Sequence, residues 1–130
     1  MKFAKIVLLV GGIYGLVVVT PLYFLQSFIE RLMPPAITHP EFYFAFVGAV
    51  VVWHVLFLVM AKDPAHYRAM MPVAALEKLA FGGPTLVLAL TGAASKLWIG
   101  GAVIDLVFGA LFITAYVKLK SAAPTAVAHS

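Results

Sequence analysis

Cysteine is absent from the chain. Disulfides, thiol redox relays, thiolate metal sites and palmitoylation are excluded together. Charge is scarce too: 11% of the 130 residues are charged, against 64% that are hydrophobic. A soluble domain runs near ~25% charged, and its core cannot absorb this much apolar side chain. The usual catalytic signatures are also missing. There is no HExxH, no GxSxG with partners and no Walker loop. No enzyme activity, cofactor or metal is assigned. A bis-histidine haem is excluded because His54 alone lies inside an apolar run, while His39, His66 and His129 lie outside. The formal charge of +4 does not indicate a nucleic-acid partner, since the basic residues form no patch or stripe.

What the chain does contain is long apolar runs, with a mean hydropathy of +1.06. A helical crossing of the hydrocarbon needs ~20 mostly apolar residues. Four runs qualify, at about 3–25, 42–61, 73–94 and 97–117. Together they leave room only for short connections. The expected fold is all-α: a polytopic membrane protein whose single domain, 1–120, is an antiparallel four-helix transmembrane bundle. Residues 121–130 read as a flexible cytoplasmic tail. The basic opening of the first run resembles a signal peptide, but no cleavage site follows, so it is read as an uncleaved span. Pro21 is expected to kink that span, and Pro84 the third. Asp63-Pro64 suits a helix start, which predicts a short interfacial helix over 64–71.

Lys and Arg set the orientation. Lys2, Lys5, Lys62, Arg68, Lys78, Lys118 and Lys120 fall on one side, and Arg31 and Lys96 on the other. This asymmetry predicts that both termini are cytoplasmic, in a bacterial cytoplasmic membrane.

Ionisable residues inside the spans are costly and therefore are candidate functional residues. Asp105 lies near mid-membrane, with Gly101 and Gly109 one turn away on the same helix face. Those small neighbours predict a tightly packed helix contact, in which Asp105 is either a strut or a site. His54 lies at similar depth, about 7 Å away along the membrane normal. A His54–Asp105 pair would handle protons or bind a hydroxyl, and Tyr14 offers a further hydroxyl to that layer. The alternative for His54 is a neutral ring bonded to the backbone. Glu77 and Lys78 are placed at the cytoplasmic end of the third span. There Lys78 is expected to snorkel to the headgroups, and Glu77 to pair with Arg68, Lys78 or His54. Arg68 is expected to meet a lipid phosphate. Gly11 and Gly15 form a small pair for helix packing within the bundle or a homodimer.

Three functions follow. The bundle encloses a polar-lined site for a lipid-like or small apolar molecule, with proton-transfer chemistry as an extension. The mouth of that site, beside Glu77, Lys78 and Arg68, opens toward the cytoplasm or the lipid. Otherwise the chain is an accessory or assembly subunit of a larger membrane complex, or a proton-coupled small transporter acting as a homo-oligomer.

Trp53-His54, the stretch from Lys62-Asp63-Pro64 to Arg68, Leu76-Glu77-Lys78 and the segment Asp105 to Phe112 resemble DoxX-like small four-span bacterial membrane proteins. The resemblance covers the last three spans. It implies a four-span fold, and it implies no catalytic residue.

Overall fold

Proline and glycine set where the helices stop. The computed structural model describes residues 1–122. Helix α1 covers Lys2–Val19, and at Pro21 the chain tightens into a 3-10 turn, Thr20–Phe24. Proline has no N–H for the preceding turn, and the hydrogen bonding changes to 3-10 at the position where a kink is expected. A short helix, α2 (Gln26–Leu32), stops before Pro34 and Pro35. Helix α3, Pro40–Lys62, opens on a proline whose missing N–H costs nothing at a first helical position. Helix α4 is Met71–Leu90, and Gly92 ends it by adopting φ +82, a conformation that glycine reaches without strain. Pro84 lies inside α4 without ending it. Helix α5 runs Trp98–Ala122, so the expected tail begins as helix and otherwise lies outside the described residues. No strand occurs among the described residues.

The connection between α3 and α4 differs from expectation. In place of a short helix over 64–71 there are turns, closed by one 3-10 turn, Arg68–Met70, that runs directly into α4. The Asp63 carboxylate accepts from the His66 N–H at 3.2 Å, closing the first of these turns where it was expected to cap a helix. Because the 3-10 turn is continuous with α4, the third apolar helix begins at Arg68 rather than near 73.

Four helical segments of 23 residues, Lys2–Phe24, Pro40–Lys62, Arg68–Leu90 and Trp98–Lys120, are long and apolar enough to cross a membrane. Each spans about 35 Å, against ~30 Å of hydrocarbon. The outward faces agree: Val17, Val52, Leu76, Leu90 and Val107 are all exposed, as lipid-facing residues should be. The chain is an integral membrane protein with an all-α four-helix bundle.

The bundle is built from two hairpins. α1 packs on α3, α4 packs on α5, and α1 meets α5 between them. α3 and α4 are consecutive spans, yet their backbones scarcely approach. Side chains bridge that gap, including the stacked Phe46 and Phe81 rings, 5.6 Å apart. The tightest packing lies in the half that carries the N-terminus. There Leu8, Phe57, Met60, Met71 and Phe112 are fully buried among Ala4, Ala61, Ala74 and Ala115. Alternating large and alanine positions lets the helices approach without voids.

The glycines of α1 set its distance from its neighbours. Gly11 faces the Phe108 ring at 3.3 Å from where a Cβ would stand, and Gly12 faces the Leu58 side chain. At Gly15 an added Cβ would fall on the His54 ring itself. The small pair Gly11 and Gly15 thus packs within the bundle. Gly15→Ala is expected to lower stability by about 1–3 kcal/mol through overpacking. Gly101→Ala, with nothing within 4 Å of its Cβ position, should be nearly neutral. Unfolding midpoints in detergent check this, and equal midpoints for the two variants would contradict it.

Candidate functional site

Lys78 organises the interior. Its side chain is 1% exposed, and its ammonium donates to His54 Nε2 at 2.8 Å. Asp105 Oδ1 lies 3.5 Å from the same nitrogen and Glu77 Oε2 3.7 Å. The Phe57 ring centroid is 5.3 Å from Nζ, completing the enclosure. Three helices therefore meet on one amine: α3 through His54, α4 through Lys78 and Glu77, α5 through Asp105.

This overturns the expectation that Lys78 snorkels to the headgroups. The helix containing it begins at Arg68, ten residues earlier, which places Lys78 about 15 Å along a 35 Å span. From mid-membrane a lysine finds partners more cheaply than it finds water. His54 and Asp105 also do not bond each other directly, as a simple pair would. Lys78 stands between them.

Local backbone chemistry fixes the His54 ring. Its Nδ1 lies 2.7 Å from the Val50 carbonyl, one turn back on α3. A carbonyl only accepts, so Nδ1 carries the proton and Nε2 is left as the acceptor that the ammonium requires. The backbone-bonded reading of His54 is thus realised at Nδ1, while Nε2 meets Lys78 and not Asp105. Glycine at position 15 leaves the space the ring fills.

Asp105 and His54 also face a cavity of about 100 Å³. Its wall is otherwise apolar, formed by Val18, Leu22, Val50 and the rings of Phe46, Phe81 and Trp98. Tyr14, which stacks on Phe108 at 5.9 Å, lines it as well. The cavity lies in the half away from the termini, and Leu22, Phe46 and Trp98 also line a recess of about 220 Å³ beside α2. None of Glu77, Lys78 and Arg68, expected at the mouth of the site, lines this cavity. Their half of the bundle holds the alanine-rich core.

The glycines flanking Asp105 divide along the same line. A Cβ added at Gly109 would stand 3.4 Å from the Lys78 Cβ, whereas one at Gly101 would meet nothing within 4 Å, and Gly101 lines the cavity. The tight contact predicted for this face holds on one side of Asp105 only. The other side is space.

Glu77 pairs with Lys78 and not with Arg68 or His54 among the described residues. Arg68 lies apart, over the Tyr116 ring at 4.0 Å. No three His, Asp or Glu side chains among the described residues are placed to hold a metal, since the cation of Lys78 occupies the point where they converge. Sequence reasoning missed Phe81 and Trp98 as cavity walls. Neither residue is ionisable, and in a helix that is apolar on every side no periodicity separates a cavity wall from a packing contact.

No family model matches the chain, and neither a curated protein nor a solved structure matches it. The site is defined by its own geometry.

Lys78→Met leaves Asp105 and Glu77 in the bundle without their cation. The expected loss of stability is about 3–5 kcal/mol, as for any broken buried ion pair. Adding Asp105→Asn and Glu77→Gln should recover most of that loss, because the uncompensated carboxylates are what destabilise. Chemical unfolding in micelles measures both. An unchanged midpoint for Lys78→Met would show that the amine is not enclosed.

Proposed function

We propose that the bundle binds a lipid-like or small apolar molecule whose polar end hydrogen-bonds at the floor of the cavity. The observation carrying this reading is that an apolar cavity ends on two of the protein's few membrane-embedded ionisable groups, Asp105 and His54. A wall of Val, Leu and aromatic rings suits a hydrocarbon or ring system. At the floor, Asp105 offers a carboxylate acceptor to a hydroxyl or N–H, and Tyr14 can donate or accept. Lys78 holds the Asp105 carboxylate and the His54 ring in place, so the acceptor is set before a ligand arrives. The reading stops at binding. Accessory-subunit and proton-coupled transporter roles rest on no feature of comparable specificity. Membership of the DoxX-like proteins is likewise a proposal, carried by the residues of the last three spans.

Both termini are proposed to be cytoplasmic in a bacterial cytoplasmic membrane. Removing Lys78, now at mid-membrane, from the count leaves six basic residues (Lys2, Lys5, Lys62, Arg68, Lys118, Lys120) against Arg31 and Lys96. The cavity would then lie in the outer half of the bilayer. The absence of cysteine makes single-cysteine labelling clean. Lys96→Cys should react with an impermeant maleimide on intact cells and Lys120→Cys should not; the reverse pattern refutes the orientation.

The binding test uses a photoactivatable medium-chain fatty alcohol. Labelling is expected on cavity-lining residues of the wild type, reduced by Asp105→Asn and His54→Ala. It should be abolished by Gly101→Leu, which fills the cavity from a position with open space around it. Gly101→Leu should keep the wild-type unfolding midpoint. Undiminished labelling in that stable variant would sink the reading.

A further inference from the structure

Arg68 is left over from the interior chemistry. Its Nε and Nη2 are enclosed and have no hydrogen-bond partner, although the guanidinium stands over the Tyr116 ring, 4.0 Å from its centroid. Buried polar nitrogens without partners are rare, and charged ones more so. Stacking supplies a face for the cation but nothing for its N–H groups to bond. What this fork lacks is an acceptor of matching shape, and carboxylate and phosphate are the two groups that fit it. Glu77, the acid on α4, faces the Lys78 ammonium at 3.7 Å and makes no ion pair with Arg68 among the described residues. At the boundary where the span Arg68–Leu90 begins, the acceptor always at hand is a lipid phosphate.

A groove continues from the same place. Between α4 and α5, on the outer face, lies a hollow of about 470 Å³ lined by Pro72, Leu76 and Leu79 on one side and Leu106, Ala110 and Ile113 on the other. Pro72 is one turn below Arg68, and Ile113 one turn below Tyr116, so the cation and its ring stand at the head of this groove. The groove exists because Ala75, Gly109 and Ala110 are small where the flanking residues are leucines. Leu76 and Leu79 are more than half exposed, at 59% and 55%, so the groove faces the bilayer and not the interior. From Pro72 to Leu79 it runs about 10 Å along the helix, a stretch that one acyl chain can fill.

We propose that Arg68, Tyr116 and the α4–α5 groove form a binding site for one anionic phospholipid, with its phosphate on the Arg68 fork and an acyl chain in the groove. The site is separate from the interior cavity, which is on the far side of Lys78 and Asp105. It predicts a bound lipid that travels with the purified protein and differs from the general lipid annulus in headgroup preference.

The test is native mass spectrometry of the full chain in detergent, titrated with phosphatidylglycerol or phosphatidylcholine of identical chains. One phosphatidylglycerol should bind about fivefold more tightly than phosphatidylcholine, the preference expected for one basic residue at the headgroup level. Arg68→Gln should erase that preference. Ala110→Phe, a change at an exposed position that fills the groove, should remove the first bound lipid of either kind. Glycerol phosphate alone should not compete. Equal binding of the two lipids by the wild type overturns the proposal, as does unchanged first-lipid binding in Ala110→Phe. Competition by glycerol phosphate at lipid-like concentration does so too, by showing a phosphate site that needs no chain. Should Arg68→Gln fail to fold, Ala110→Phe decides the question, and a folded Ala110→Phe that retains the lipid refutes it.

Discussion

A lysine ammonium in the hydrocarbon layer must be satisfied by the protein, and the rest of this bundle follows from how Lys78 is satisfied. Leaving a charge at mid-membrane costs ~2.5–3.5 kcal/mol on insertion scales, before any partner is supplied. Glu77 on the same helix supplies one partner, at 3.7 Å. The other two come from different helices, His54 on α3 and Asp105 on α5. That requirement binds α4 to α3, whose backbones otherwise stand apart. The gap between them is thus closed by side chains at the level of Lys78 and left open beyond it, where the cavity lies.

The small residues of the other helices serve the same arrangement. Gly15 on α1 gives up its Cβ to the His54 ring, and Gly109 on α5 lets the Lys78 stem pass close to the helix backbone. Alanines at 61, 74 and 115 pack the half of the bundle that carries the N-terminus. Gly101 differs. Removing its side chain makes room for a molecule and not for a neighbouring helix, which is why its substitution separates binding from stability.

The number of spans, their approximate limits and the all-α class were legible in the sequence because lipid imposes one solution on long apolar runs. Residues at the site were legible for a related reason: His54, Asp105, Glu77 and Lys78 are conspicuous where charge is expensive. Their connections were not. Starting the third span near 73 put Lys78 at the headgroups, whereas the 3-10 turn at Arg68–Met70 extends that helix and carries Lys78 to mid-membrane. A five-residue error in one boundary, about 7 Å of rise, reversed the expected behaviour of the one residue that joins the others. Which half of the bundle holds the cavity was also hidden. It depends on which half of the bundle is packed with alanine, and composition along single helices does not report how two helices meet.

Solid-state NMR on the protein in liposomes, with 15N-labelled lysine and 13C-labelled aspartate and histidine, addresses the central claim directly. The account predicts dipolar contacts from the Lys78 side-chain nitrogen to the His54 ring and the Asp105 carboxyl, with the amine protected from water exchange. A Lys78 amine that exchanges like those of Lys118 and Lys120, and shows no contact to either partner, would contradict it.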